Sequence, residues 1–109
     1  MRINDNQVYV FVKAIKEISL NQFELYLFGS RANDLKKGGD IDLLIITNDD
    51  EIKKLRANKT KLLAKIKMYL EYDERIDLTF ISEKEKTTNS FFLAIPKEEL
   101  ILIFFLNLN

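Results

Sequence analysis

The sequence predicts an α/β (α+β) fold, in which helices pack on a small mixed β-sheet. Two segments, residues 5–18 and residues 49–72, carry apolar residues at helical spacing. Short β-favouring runs stand between and after them, and most are bounded by Gly or polar residues. With 47% hydrophobic and 31% charged residues in 109 positions, the chain has the composition and length of one globular domain, which we expect to cover residues 1–109.

Four runs of residues have the composition of strands. They are FELYLF, IDLLIIT, IDLTFI and LILIFFL, at residues 23–28, 41–47, 76–81 and 100–106. The second run is apolar on both faces after Asp42, so we expect it at the centre of the sheet. We expect the last strand to end near Ile103. The apolar side chains beyond it, Phe104 to Leu106, would then be covered by self-association or by a partner.

The helices complete the order α-β-β-α-β, followed by a short α and a last β. The first helix begins after Asn4 or Asp5, which are both good N-caps. One long helix is expected from Asp49 to about Tyr72, with acidic residues first and lysines later, as the helix dipole favours. Residues 90–95 favour a short helix.

The connections predict how the strands pair. The first two strands are separated by a short polar connection, residues 31–39, which ends in a Gly38–Gly39 turn and makes the strands antiparallel. The second and third strands are separated by a helix of about twenty residues, the kind of connection that a parallel pair requires. Residues 82–89 are polar and are expected to be irregular.

The chain contains no Cys and no His. Disulfides, thiolate nucleophiles, Ser-His-Asp triads and zinc sites built on Cys or His are therefore excluded. Catalysis would have to use carboxylates, Lys or Arg, hydroxyls, or a hard metal ion bound by oxygen. The N-terminus lacks a signal-peptide core and the longest apolar run, residues 100–106, is too short to span a bilayer, so we expect a cytoplasmic protein without a membrane partner.

Three carboxylates are brought together by this topology. Asp40 and Asp42 open the second strand, and residues two apart in a strand point to the same face. Asp77 opens the third strand, and parallel strands bring their N-terminal ends together. The first strand ends at Gly29, so Gly29 and Ser30 are expected at the same edge of the sheet as the three acids.

Such a group suits a divalent cation beside an anion. Carboxylates that crowd together repel one another unless a cation lies among them, and Mg²⁺ is typically held by one or two carboxylates together with substrate phosphates. Gly29 lets the backbone approach a ligand closely, and N–H groups of the turn that begins at Ser30 would face an anion. A metal ion beside a phosphate site is typical of phosphoryl or nucleotidyl transfer.

The segment LFGSRANDLKKGGDIDLLII resembles the G-S-x(9)-D-x-D signature of the DNA polymerase beta nucleotidyltransferase superfamily. The small size and the later RIDLTFI resemble its minimal nucleotidyltransferases (MNT), and the likeness extends from about Phe23 to Leu102. The resemblance implies a polymerase-beta-like nucleotidyltransferase fold. Two positions depart from the pattern: Gly39 stands where many members have Ser, and Pro96 falls within the closing helix.

The resemblance also implies a role for each site residue. Gly29–Ser30 would bind the nucleotide phosphates, with Arg31 as a further phosphate contact. Asp40 and Asp42 would ligate Mg²⁺, as one or two ions. Asp77 would share a metal ion and assist deprotonation of an acceptor hydroxyl. ATP or another NTP would be the substrate, and pyrophosphate would be the leaving group.

A partner protein follows from the same resemblance. Many stand-alone members are antitoxins encoded beside HEPN-domain toxin ribonucleases, and they transfer AMP onto a toxin tyrosine. This chain lacks the His of the toxins' R-x(4–6)-H pattern, so it does not resemble the toxin half. A chain this small also has little room for an acceptor-binding domain, which fits an acceptor supplied by a partner protein.

Three other functions compete with this one. Seven Lys and Arg residues between positions 51 and 70 would be the footprint for RNA in transfer to a tRNA end, although a solvated helix face is the commoner meaning of such a run. A non-catalytic antitoxin would bind its partner without chemistry, and a regulatory domain would bind nucleotide alone. The set of three carboxylates argues against simple binding, since a binding module has no use for their mutual repulsion.

Overall fold

The computed structural model describes residues 1–19, 22–35, 39–71 and 73–107. Within these ranges four strands form one sheet in the order β3-β2-β1-β4. The strands are β1 (Phe23–Phe28), β2 (Ile41–Thr47), β3 (Ile76–Ser82) and β4 (Leu100–Leu106). β1 is antiparallel to both β2 and β4, whereas β2 is parallel to β3. The predicted mixed sheet, with β2 in its interior, is confirmed.

Four helices accompany this sheet in the described part of the chain. They are α1 (Asp5–Lys16), α2 (Asp49–Ala57), α3 (Lys59–Leu70) and α4 (Ser90–Leu93). Asn4 is the N-cap of α1, and it forms a capping box with Gln7 in which each side chain accepts from the other's backbone N–H. No helix in these ranges has the length and apolar character needed to cross a membrane.

The single helix expected from Asp49 to about Tyr72 was wrong, because Asn58 divides it into α2 and α3. Asn58 adopts a non-helical conformation, with φ −110° and ψ 19°. Its side-chain Nδ2 donates to the carbonyl oxygen of Lys54 at 2.8 Å, a local bond that competes with the helical pattern. Tyr72 lies outside the described residues, as does Gly38 of the predicted Gly-Gly turn.

The last strand is longer than the sequence suggested. β4 continues past Ile103 to Leu106, because Phe104 pairs with Leu25 and Leu106 pairs with Phe23 of β1. Phe104 and Leu106 pack against the core of the same chain, and only Phe105 among these last residues is mainly exposed. Phe104 and Leu106 are thus partly covered by their own chain, and the expectation that association covers this segment stays a prediction. Residues 83–87, expected to be irregular, form a 3₁₀ turn.

The two faces of the sheet are covered differently. α1, α2 and α3 contribute buried apolar residues to the main core on one face, where they meet alternate residues of the strands. On the opposite face, which we call the second face, Leu44, Ile46 and Ile81 form a smaller core with Phe92 of α4 and with Ile95. β2 is thus buried on both faces, as predicted. The alternation of a strand puts Asp42 on the second face with Leu44.

Candidate active site

Asp42 and Asp77 are directly opposite each other on neighbouring parallel strands. The residues before them, Ile41 and Ile76, are both buried in the main core, so the register that satisfies the core also brings the two carboxylates together on the second face. Phe28, the last residue of β1, pairs with Asp42 on the other side. The N-terminal ends of β2 and β3 therefore meet the C-terminal end of β1, as the connection lengths predicted.

Gly29 approaches the carboxylate of Asp42 so closely that a side chain does not fit. A Cβ atom added to Gly29 would lie 2.6 Å from Oδ2 of Asp42, and Gly29 has φ +76°, in the left-handed region that glycine favours. The turn that follows β1 is a 3₁₀ turn over Gly29–Ala32. Gly29 is therefore in contact with Asp42 and not merely at the same edge of the sheet.

Gly39 makes a second close approach, from the other end of the connection. It has φ +88°, and a Cβ atom added to it would lie 2.0 Å from Oγ of Ser30. A Ser at this position, as in many members of the superfamily that the sequence resembles, would need a different local arrangement. The departure at Gly39 is thus explained by the packing of Ser30 against the segment that leads into Asp40.

The carboxylate of Asp42 has an unusually high proton affinity. The pKa of Asp42 is raised to about 6, first by burial, then by the negative charges of Asp77 and Asp40 and by a hydrogen bond with Asp77. Asp40 itself is half-buried and lies 3.6 Å from Nε of Arg75, an exposed side chain. The site thus concentrates negative charge in one place, and Arg75 is the cation that pairs with Asp40 there.

The donor set fits a hard divalent cation that is completed by its substrate. In the described ranges no three acidic side chains converge into a ready-made metal cage. Asp42 and Asp77 nevertheless supply paired oxygen donors, and Asp40 is near enough to raise the pKa of Asp42. Mg²⁺ commonly uses one or two carboxylates plus phosphate oxygens, so an open pair suits it better than a closed cage.

The side chain of Arg31 makes three contacts that connect the segments around the site. Its Nε donates to the carbonyl oxygen of Gly39 at 3.1 Å, and its Nη1 donates to that of Arg2 at 3.1 Å. Its Nη2 forms an ion pair with Glu74 at 3.1 Å, and both side chains are mostly buried. In addition, Nη2 of Arg2 donates to the carbonyl oxygen of Ser30. The guanidinium thus joins both ends of the G-S to D-x-D connection; phosphate binding by Arg31 stays a prediction.

An apolar cavity that the sequence analysis did not identify adjoins Gly29. It measures about 220 Å³, and the side chains around it are those of Phe28, Phe91, Ile95, Pro96 and Glu99. The rings of Phe28 and Phe91 meet edge to face, with centroids 5.6 Å apart, and Phe91 is 48% exposed. The signal in the sequence was the aromatic pair in SFFL, but only the pairing of Phe28 with Leu100 brings that segment to the site.

The family model described as a nucleotidyltransferase domain matches residues 8–103, which is most of the chain. The chain belongs to this nucleotidyltransferase family. The fold agrees, since the mixed four-stranded sheet with helices is that of a polymerase-beta-like nucleotidyltransferase. No curated protein and no solved structure matches the chain significantly. The general activity of this nucleotidyltransferase is thus nucleotidyl transfer, with NTP substrates and divalent metals as is general in the family.

Gly29→Ala should disrupt the contact between the Gly-Ser turn and Asp42. The new Cβ would collide with Oδ2, and the backbone at φ +76° disfavours any side chain. We expect the free energy of unfolding to fall by about 1–3 kcal/mol and the stabilisation by an NTP with a divalent metal to disappear. Thermal unfolding with and without ligand measures both effects, and Leu35→Ala, at an exposed position of the same connection, is the control. An unchanged melting temperature with an unchanged ligand shift would contradict the close contact.

The raised pKa of Asp42 predicts a pH-dependent stability without metal or nucleotide. Between about pH 4 and pH 6 the folded protein keeps a proton on Asp42 that the unfolded chain releases, so the free energy of unfolding from this group falls as pH rises. Asp42→Asn lacks this loss, so its stability relative to wild type should increase across that window and stay constant above it. Urea unfolding in chelator at several pH values measures the difference. Asp73→Asn is the control and should follow the wild-type profile. If Asp42→Asn and the wild type had parallel pH profiles, the raised pKa of Asp42 would be refuted.

Proposed function

We propose that this nucleotidyltransferase is a cytoplasmic, Mg²⁺-dependent enzyme that transfers AMP from ATP to the hydroxyl of a tyrosine on a partner HEPN-domain toxin, and thereby acts as an antitoxin. The observation that carries the catalytic part is the register of Asp42 with Asp77 beside Gly29. The partner and the acceptor rest on the resemblance of the G-S-x(9)-D-x-D segment to minimal nucleotidyltransferases.

The acidic residues would divide two tasks between them. Asp40 and Asp42 would hold Mg²⁺, and Asp77 would share it and accept the proton of the attacking hydroxyl. Mg²⁺, when bound, would neutralise charge that develops on the phosphates. The acceptor oxygen forms a bond to the α-phosphorus while the bond to the bridging oxygen breaks and pyrophosphate leaves. The exposure of Asp77, in contrast to the half-buried Asp42, supports its position on the acceptor side.

The Gly-Ser turn would hold the phosphates. Gly29 has no side chain to block an anion. Backbone N–H groups at the start of a 3₁₀ turn, such as the one over Gly29–Ala32, are groups that commonly bind anions. The contacts of Arg31 with Gly39 and Glu74 keep this turn and the segment before Asp40 in a constant relative position. Such preorganisation is what an electrostatic catalyst needs, because little reorganisation is then required during the reaction.

The positions of the cations favour a protein acceptor over RNA. The Lys-rich stretch forms α2 and α3, which pack on the face opposite to Asp42 and Asp77. Some of these cations are also engaged within the chain: Lys65 pairs with Glu17 at 3.3 Å, and Arg56 donates to the carbonyl oxygen of Phe80. A purely binding antitoxin is less consistent with the site, since the crowding that raises the pKa of Asp42 costs stability and serves no binding purpose.

The acceptor is tested directly with the protein encoded by the neighbouring gene. The purified pair is incubated with Mg²⁺ and ATP, and intact-mass and peptide mass spectrometry locate any added AMP. We expect AMP on a tyrosine of the partner, and no modification when Asp42→Asn replaces the wild-type chain. Modification of added tRNA with an unmodified partner would instead establish the RNA acceptor. Inhibition of the partner without any modification would establish a non-catalytic antitoxin.

Asp77→Asn should separate catalysis from nucleotide binding. If Asp77 accepts the proton of the acceptor hydroxyl, its loss should lower the transfer rate by about 10²–10⁴-fold. The affinity for Mg²⁺-ATP, measured by the thermal shift, should change far less because Asp40 and Asp42 remain. Asp73→Asn, an exposed carboxylate in the segment before β3, is the matched control. A rate within a few-fold of wild type would remove Asp77 from the proposed role.

A further inference from the structure

The outer edge of β4 is an uncharged edge strand. β4 is the last strand of the sheet and, within the described residues, pairs only with β1. Its seven residues, LILIFFL, include no charge and no Pro, which are the usual protections of an exposed edge. Leu102 and Phe105 are 50% and 55% exposed. Such an edge offers both backbone hydrogen-bonding groups and apolar side chains to another strand.

An apolar groove continues this edge on the main-core side, between β4 and α1. It measures about 820 Å³ and runs along the whole of α1, with charged residues at both ends and residues 101–104 of β4 on its other side. Its apolar lining comes from Val8, Tyr9, Val12, Ile101 and Ile103. Tyr9, halfway along α1, is 65% exposed. The groove and the edge strand form one continuous apolar surface, which we call the β4 edge surface.

The charges within α1 have opposite signs at its two ends, and Glu17, which follows α1 and also lines the groove, is paired with Lys65 at 3.3 Å. The start of α1 lies at the active-site edge of the sheet, since the backbone N–H of Arg2 donates to Arg31 at 2.9 Å, and β4 also begins there. The other end carries Lys13 and Lys16, and Nζ of Lys16 lies 5.4 Å from the ring centroid of Phe104. α1 and β4 thus run side by side in the same direction, with Asp5 at the first end.

We propose that the β4 edge surface is the contact between two copies of this chain, with β4 pairing antiparallel to its counterpart about a twofold axis perpendicular to the sheet. The twofold reverses the direction of the second copy, so Asp5 of one copy faces Lys16 of the other at both ends of the contact. The two α1 helices also lie antiparallel on the same side of the joined sheet, a favourable arrangement of their dipoles. This charge complementarity selects a second copy as the occupant, because an isologous contact matches each charge with its opposite twice.

The proposed dimer leaves the acidic site accessible. Asp42 and Asp77 lie on β2 and β3, and β1 separates these strands from β4. The joined sheet would contain eight strands with one site towards each outer end. The proposal is therefore independent of the acceptor and of the catalytic role of the acids, and it can be tested with no substrate present.

A charge exchange between the two ends of α1 tests the contact specifically. Asp5→Lys sets lysines against lysines in its homodimer, and Lys16→Asp sets carboxylates against carboxylates. Each variant alone should dimerise at least about tenfold more weakly than wild type at low salt. An equimolar mixture should recover near-wild-type dimerisation, because both contacts in the mixed dimer then join Lys with Asp. Sedimentation velocity over a concentration range measures the dissociation constants, and high salt should reduce the differences.

A substitution on β4 tests the strand pairing separately. Leu102→Lys adds a charge to the exposed position and should abolish dimerisation, while the circular dichroism spectrum remains that of wild type. Lys67→Asp, an exposed change on α3, is the control and should still dimerise. A wild-type chain that is monomeric at high concentration, a dimer insensitive to Leu102→Lys, or a mixture no stronger than its two components would each overturn the proposal.

Discussion

The parallel pairing of β2 with β3 is the constraint on which the site depends. Ile41 and Ile76 are buried side by side in the main core, and this burial determines the register of the two strands. Because side chains alternate along a strand, a slip by one residue would turn Asp42 into the core and destroy the acidic pair. The stability of an apolar core therefore also specifies the position of two polar groups that contribute nothing to that core.

The remaining parts of the site are positioned by close contacts with this pair. Gly29 touches Asp42, and Gly39 touches Ser30, so the two ends of one polar connection are packed against each other. Arg31 then joins this packed unit to the segment before β3 through its ion pair with Glu74. A ligand at the Gly-Ser turn would thus meet a backbone whose geometry is already determined by neighbouring elements, with few groups left to order on binding.

The same contacts create a conflict between stability and chemistry. Asp42 is partly buried and faces Asp77, and both conditions raise its pKa. The folded structure therefore disfavours the ionised form of the Asp42 carboxylate. A fold selected for stability alone would not retain this arrangement, whereas a divalent cation would relieve it. The edge strand β4 has the opposite character, since it exposes apolar side chains and carries no charged residue that would protect it.

The sequence by itself determined the order of the elements, the mixed sheet and the convergence of Gly29 with the acids, because apolar periodicity and connection length restrict the strand pairing strongly. It did not determine the break at Asn58 or the end of β4, since local side-chain bonds and pairing with Phe23 decide those boundaries. Only the tertiary structure brought Phe91 beside Gly29 and directed Arg31 towards Glu74. Those contacts join residues far apart in the chain, and a pattern within one segment carries no information about its distant neighbours.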